Sequence, residues 1–238
     1  LLIKAAWGGH SLVKLFRSPS AGLPAEEKLQ ADLKKAQEQT RKKNEKNGTN
    51  DPLPTMDDIK KPYGSSYRNM LAEVKETFDN YETLFPQLKG KKLEIAGFVW
   101  FQGFNDQFSD AFRDNYRQNM IHFIKDVRKE YKTPKMPFVI GVLGTNMTKE
   151  GVDKNAVSVG QREAAKAPHF KGNVVSVESY KVYDLKARKV FDGGCAKNFA
   201  QWRLVGSDRP YHYLGSGKFF VRLGDAFANA MYGLMEKQ

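Results

Sequence analysis

Short apolar runs alternate with longer amphipathic segments along most of this chain, and this alternation restricts the folds open to it. Three of the runs cover residues 93–101, 137–144 and 173–178. The segments 109–127 and 155–166, which lie between them, carry apolar residues at helical spacing. Continuous apolar strands that alternate with helices are typical of a parallel sheet covered by helices on both faces. The pattern therefore predicts a three-layer α/β/α sandwich with a mainly parallel sheet.

The two ends of the chain and one charged segment complete this organisation. Residues 1–7 predict a short buried strand, residues 67–85 predict an amphipathic helix, and residues 218–237 predict a final amphipathic helix. Residues 24–62 differ in composition from the rest. Within them, 26–37 predict an exposed helix, and 41–58, rich in Asn, Lys, Gly and Pro, predict a mobile loop. We therefore predict one domain over residues 1–238 with a charged surface insertion at about 24–62.

Composition excludes several classes of protein. The 238 residues carry a formal net charge of +12, but the lysines are scattered and no zinc-finger, RNP or KH signature is present, so nucleic-acid binding is not predicted. Cys195 is the only cysteine, which rules out an intrachain disulfide. The four histidines show no metal-ligand spacing, and we predict neither a metal nor a cofactor. No apolar run approaches the ~20 residues that span a bilayer, so no membrane association is predicted.

Polar clusters follow three of the predicted elements. They cover residues 8–11 (Gly-Gly-His-Ser), 102–106 (Gln-Gly-Phe-Asn-Asp) and 208–213 (Asp-Arg-Pro-Tyr-His-Tyr). Open α/β sheets bind ligands at the carboxyl ends of their strands, where such clusters would lie. Acyl transfer needs an oxyanion hole, a general base and a carboxylate that orients the base, and the clusters together contain these groups.

These stretches resemble those of the SGNH-type hydrolases, and within them the carbohydrate esterases related to sialate O-acetylesterase and acetyl xylan esterase. Residues 100–105, Trp-Phe-Gln-Gly-Phe-Asn, are similar to that group's Trp-x-Gln-Gly-x-Asn/Asp motif. Residues 3–12 resemble the segment that carries its oxyanion-hole glycine, and 211–226 resemble the block with its catalytic histidine. The resemblance implies a flavodoxin-like SGNH sandwich that lacks its first strand, and a carbohydrate O-acetylesterase activity.

The resemblance also implies roles for individual residues. The implied catalytic groups are the general base His212, its carboxylate partner Asp208, the oxyanion donor Asn105 and the backbone N–H of Gly8 or Gly9. The implied substrate-binding residues are Gln102, Gly103 and His10. The partner is then an acetylated carbohydrate, and a secreted or periplasmic location follows from the resemblance alone.

The chain departs from the family pattern at three places, and each departure leads to a prediction. The family's nucleophilic serine precedes the segment at which this chain begins, so we expect the chain to be N-terminally truncated and inactive by itself. Phe104 stands where many relatives have Glu, which predicts packing in place of a polar contact. Asp208 precedes His212 by four residues instead of three, and the bend at Pro210 lets it reach the imidazole.

Some alternatives stay open at this point. Ser11 could act as a substitute nucleophile or as a helix N-cap. Gln102 could hold an oxyanion or a sugar, or could satisfy buried backbone groups. Trp7 and Trp100 could border a sugar site or pack in the core. The whole chain could instead be a non-catalytic carbohydrate-binding or structural domain of the same fold.

Overall fold

Two units make up the chain, Leu1–Lys92 and Leu93–Gln238, and a computed structural model describes residues 1–237. The helices of the first unit are α1 (Glu26–Asn47), α2 (Met56–Lys60) and α3 (Ser65–Leu84). The second unit contains strands β1 (Phe98–Trp100), β2 (Phe138–Val142) and β3 (Val174–Glu178). Its helices are α4 (Asp110–Glu130), α5 (Lys149–Asp153), α6 (Ala156–Ala165), α7 (Leu185–Asp192), α8 (Phe199–Val205) and α9 (Gly217–Met235).

The three strands form one parallel sheet in the order β1-β2-β3. Phe98 pairs with Phe138, and Phe138 pairs with Val174. All five residues of β2 are buried, because this strand lies between the other two and under the helices. The carboxyl ends of the strands therefore lie along one edge of the sheet, and the loops that follow them can share a site.

Helices cover both faces of this sheet. Phe98 and Trp100, on one face, contact Phe123 of α4 with ring centroids 5.8 and 4.5 Å apart. On the opposite face, Gly141 lets the Phe227 ring of α9 approach so closely that an added Cβ would lie 2.7 Å from Cζ. Helix α6 also contacts β2 and β3. The predicted α/β sandwich with a parallel sheet is confirmed.

Two of the predicted strands differ from the structure. Residues 1–7 form no strand, because none of the strands in residues 1–237 supplies a hydrogen-bonding partner for them. The strand predicted from residue 93 begins only at Phe98. Its partner β2 starts at Phe138, directly after Pro137, which has no N–H to donate. Pairing with the neighbouring strand, and not the length of the apolar run, sets these boundaries.

The first unit contains more helix than its composition indicated. The prediction of a loop over 41–58 is wrong for its first part, because α1 continues through Asn47. Residues 41–46 are Lys, Arg, Asn and Glu, and the long charged side chains among them are good helix formers. The helix ends at Gly48, which is left-handed with φ 65°. Thr55 then caps α2 through a reciprocal pair of hydrogen bonds with Asp58.

The predicted amphipathic helices are present as α3, α4, α6 and α9, whereas α7 and α8 were not predicted. These two short helices help to enclose an apolar cluster that includes Trp202, Tyr213 and Phe219. Within residues 1–237, no helix is both long and apolar enough to cross a bilayer. The same residues contain no group of three His, Cys, Asp or Glu side chains placed to hold a metal ion.

Candidate active site

The turn after β1 is held by buried polar contacts. Gln102 Nε2 donates to Asp106 Oδ2 at 2.7 Å, and Asp106 is fully buried. The Tyr116 hydroxyl lies 3.2 Å from both the backbone oxygen and Oε1 of Gln102. Gln161 of α6 donates to the Gln102 backbone oxygen at 2.6 Å. Burial, and then the charge of Asp106, raise the pKa of Tyr116 well above its usual range, so the phenol stays neutral.

Glycine is required at the centre of this turn. Gly103 has φ 149°, and a Cβ there would lie 2.9 Å from Val157 Cγ1 and 3.1 Å from Gln161 Nε2. The close approach seats the turn on α6. Asn105 then begins a short 3₁₀ helix, Asn105–Phe108. Its half-buried side chain forms no hydrogen bond with any other residue in 1–237, so the amide is available to donate to a ligand.

The second part of the site is the pair His212 and Asp208. His212 Nδ1 lies 2.8 Å from Asp208 Oδ2, and both side chains are about half exposed. The backbone N–H of Arg209, and then His212, lower the pKa of the Asp208 carboxyl below its ordinary value. Asp208 therefore stays ionised and can hold the imidazole in one tautomer. Because Nδ1 is engaged, Nε2 is the nitrogen left to accept a proton.

A buried tyrosine anchors the loop that carries His212. Tyr213 stacks on Phe219 with ring centroids 4.2 Å apart, and its hydroxyl accepts from the Gly144 N–H at 3.1 Å. Its burial raises the pKa of Tyr213 to about 12. Tyr213 and Leu214 both have left-handed backbone, with φ 52° and 64°. Such strain persists only where surrounding contacts enforce it, so the loop is firmly positioned.

The two loops lie side by side. Phe104 stacks on Tyr211 with ring centroids 5.3 Å apart, so Asn105 and His212 each follow one member of a stacked pair. The packing predicted for Phe104 in place of a polar contact is therefore present. An open cleft of about 450 Å³ borders this pair. It is lined by Phe104, Gln107, Phe108, Thr145, Asn146, Pro210 and Tyr211.

The remaining predicted site residues belong to the first unit. Gly9 has φ 81° in the turn after residue 7. His10 Nδ1 lies 2.6 Å from Ser66 Oγ, and its ring stacks on Trp7 with centroids 6.0 Å apart. Ser11 is only 5% exposed, and its carbonyl accepts from two later N–H groups. A turn follows Ser11 instead of a helix, so the helix N-cap alternative is wrong.

Sequence reasoning missed two contacts that shape this site. The N–H of Gly144 and the hydroxyl of Tyr213 are separated by 69 residues, and no local pattern connects them. Asp106 was part of a recognised cluster, but its burial and its bond to Gln102 depend on the packing of α4 and α6. Of the alternatives for Trp100, the structure favours core packing, because this side chain is 5% exposed and donates to Tyr116.

Comparison with protein families identifies the group to which these residues belong. A model of the carbohydrate esterases described as sialic acid-specific acetylesterases matches residues 55–190, more than half of the chain. The chain belongs to this family of acetylesterases. The family match includes the turn from Gln102 to Asn105, whereas Asp208 and His212 lie outside it. Searches of curated proteins and of solved structures give no match to this acetylesterase chain.

The contacts of Gln102 lead to a prediction about stability. Gln102→Ala removes the amide that links Asp106 to Tyr116 in the interior of the second unit. We expect the free energy of unfolding to fall by about 1–3 kcal/mol, since buried polar partners lose a hydrogen bond. Urea unfolding monitored by tryptophan fluorescence measures this change. Gln201→Ala, at an exposed position on α8, is the control and should change little. An unchanged stability with a raised KM would instead favour a substrate-binding role for Gln102.

Proposed function

We propose that this chain carries the acid–base and oxyanion groups of a serine esterase that removes acetyl groups from sugars. Membership of the acetylesterase family supports the reaction class. The single observation that carries the proposal is the 2.8 Å hydrogen bond between His212 Nδ1 and Asp208, on a loop stacked against the Asn105 turn. A base oriented by a carboxylate, beside an available amide donor, is the arrangement that acyl transfer requires.

In this mechanism His212 acts twice. Its Nε2 removes the proton of the serine hydroxyl as the oxygen attacks the acetyl carbonyl, and Asp208 stabilises the imidazolium that forms. Asn105 Nδ2 donates to the oxyanion of the tetrahedral intermediate. The imidazolium then protonates the departing sugar oxygen, and an acetyl-enzyme remains. In the second half-reaction His212 deprotonates water as it attacks the acetyl carbonyl. The imidazolium then returns this proton to the departing serine oxygen, which releases the acetic acid and restores the free hydroxyl and the neutral imidazole.

We also propose that the nucleophilic serine lies outside these 238 residues. Among residues 1–237, no serine, threonine or cysteine side chain hydrogen-bonds to His212. Ser11, which follows a glycine turn, is buried. The family resemblance likewise assigns the nucleophile to a segment that precedes residue 1. The chain alone is then inactive, and the complete site forms when that serine is supplied.

The resemblance also supports three assignments that remain proposals. A backbone N–H of Gly8 or Gly9 serves as a second oxyanion donor. Gln102, Gly103 and His10 contribute to the substrate site. A secreted or periplasmic location follows from the family alone.

Asn105→Ala tests the proposed function. In the full-length protein we expect kcat on p-nitrophenyl acetate to fall by about 10²–10³-fold, because one oxyanion donor is worth ~2.7–4 kcal/mol of transition-state stabilisation. The unfolding midpoint should hardly change, since the Asn105 side chain has no hydrogen-bond partner in residues 1–237. Steady-state kinetics and thermal unfolding are measured on the same preparations.

The matched control is Asn115→Ala, an exposed asparagine on α4. It should retain wild-type turnover. Near-normal turnover of Asn105→Ala would remove this residue from the mechanism. Absence of any esterase activity in the full-length protein would favour a carbohydrate-binding domain instead.

A further inference from the structure

A row of aromatic rings lines the cleft at Tyr211, whose ring contacts that of His212 with centroids 4.5 Å apart. Phe108 contacts Phe104 edge-to-face with ring centroids 5.0 Å apart, and Phe104 in turn stacks on Tyr211 at 5.3 Å. The two outer rings face solvent, since Phe108 is 69% and Tyr211 43% exposed. Single exposed aromatics need no explanation, but contiguous ones at the mouth of a cleft indicate a binding surface.

The rest of the cleft wall is polar but uncharged. Gln107, Thr145 and Asn146 complete the lining together with Pro210. Gln107 Oε1 accepts from Asn155 at 3.0 Å, which fixes the side chain and leaves the Gln107 NH₂ group to donate. Amide and hydroxyl groups that surround an apolar floor provide donors and acceptors for a ligand with several hydroxyls.

Resting on the function proposed above, we propose that this cleft binds the sugar half of the ester, with an uncharged ring packed on Phe108 and Tyr211. A pyranose ring has an apolar C–H face and a polar hydroxyl edge, which match the aromatic row and its polar wall. A sugar in this cleft would place its acetylated oxygen near His212. In the proposed mechanism His212 protonates that oxygen as the ester bond breaks. Phe108 and Tyr211 therefore determine substrate specificity and are not catalytic residues.

The uncharged lining argues against an acidic sugar at this position. A carboxylate in the cleft would lose water without gaining a cationic partner, which is unfavourable. Arg209 precedes the lining residue Pro210 in the chain, but it does not line the cleft. Neutral acetylated sugars are therefore the preferred substrates, although the family takes its description from sialic acid.

Phe108→Ala in the full-length protein tests the aromatic row. We expect KM for xylose tetraacetate to rise by about 10-fold, the scale of one lost aromatic contact. Hydrolysis of ethyl acetate, which has no ring to pack, should be unchanged. The matched control is Phe199→Ala, since Phe199 is 62% exposed on α8 and does not line the cleft. An unchanged KM for xylose tetraacetate in Phe108→Ala would overturn the proposal.

A binding measurement separates this inference from the proposed function. Saturation-transfer NMR with methyl β-xyloside needs no nucleophile, and we expect a signal that Phe108→Ala weakens and Phe199→Ala retains. If the protein hydrolyses no ester, the proposed function fails, yet xyloside binding that depends on Phe108 still supports the sugar cleft. Xyloside binding that is absent, or indifferent to Phe108→Ala, overturns it.

The charge preference has its own test. Xylose tetraacetate should have a higher kcat/KM than 9-O-acetyl-N-acetylneuraminic acid. A preference for the sialic acid ester would overturn the assignment of an uncharged ring. Loss of that preference in Arg209→Ala would identify Arg209 as the cation that binds the carboxylate.

Discussion

Replacing His212 with alanine should reduce hydrolysis of p-nitrophenyl acetate by the full-length protein by about 10⁴-fold or more. In the proposed mechanism the imidazole removes the proton of the serine hydroxyl and protonates the departing oxygen, so its loss leaves both steps uncatalysed. The loss is expected to exceed that of Asn105→Ala, because the base acts in both half-reactions, whereas the oxyanion keeps other donors. Since His212 is about half exposed, its removal should hardly affect folding.

Stopped-flow kinetics check this result most directly. The wild-type protein should release a burst of p-nitrophenol as the acetyl-enzyme forms, and His212→Ala should show none. The control is His169→Ala, an exposed histidine in the 3₁₀ turn Pro168–Phe170, which should retain the burst. A burst in His212→Ala would mean that another group serves as the base.

Gly144→Ala should cause the largest loss of stability, about 3 kcal/mol or more, because overpacking against rigid backbone is costly. A Cβ at this buried position would lie 2.4 Å from Ser179 Oγ and 2.5 Å from the backbone nitrogen of Tyr180. The Ser179 hydroxyl has little freedom to move, since it donates to the Val142 carbonyl at 2.6 Å. The Gly144 N–H, which donates to Tyr213, would shift as well. Esterase turnover should therefore fall together with stability.

Urea unfolding of Gly144→Ala and of a second variant measures this effect. Gly224→Ala provides the control, since no atom lies within 4 Å of an added Cβ at this exposed position in α9. Alanine there should stabilise the protein by about 0.5–1 kcal/mol through helix propensity. Equal stabilities for the two variants would mean that the loop after β2 shifts to accommodate the added methyl group, and would contradict the close packing around Gly144.

Local sequence predicted the long helices well and the short elements poorly. Helices α3, α4 and α9 each repeat apolar residues over about five turns, so the signal accumulates along the chain. Strand β1 has three residues, and its limits depend on where β2 offers partners. The apolar residues 1–7 fit a strand locally but have no neighbouring strand among the described residues.

The candidate site was likewise predicted only in part from the sequence. The motif at 100–105 and the histidine at 212 could be recognised from the sequence. Their residue types suit acyl transfer, and the stretches that contain them are similar to motifs of the carbohydrate esterases. No pattern distinguished the two alternatives for Gln102, whereas the structure shows its amide bonded to Asp106 and close to Tyr116. The contribution of Phe108 to the cleft was also not predictable. Its exposure and its contact with Phe104 depend on the conformation of the 3₁₀ helix Asn105–Phe108, which no sequence pattern indicated.

By itself, the sequence determined the fold class, the parallel sheet, the family resemblance and the residue types available for catalysis. These properties depend on hydrophobic periodicity and on short motifs, which act over a few neighbouring residues. The structure shows the contact between Asp208 and His212 that the sequence predicted. It alone decided that Tyr213 anchors their loop, and that Phe104 joins this loop to the Asn105 turn. The last two contacts join residues 69 and 107 positions apart, and such pairs meet only when the core packs.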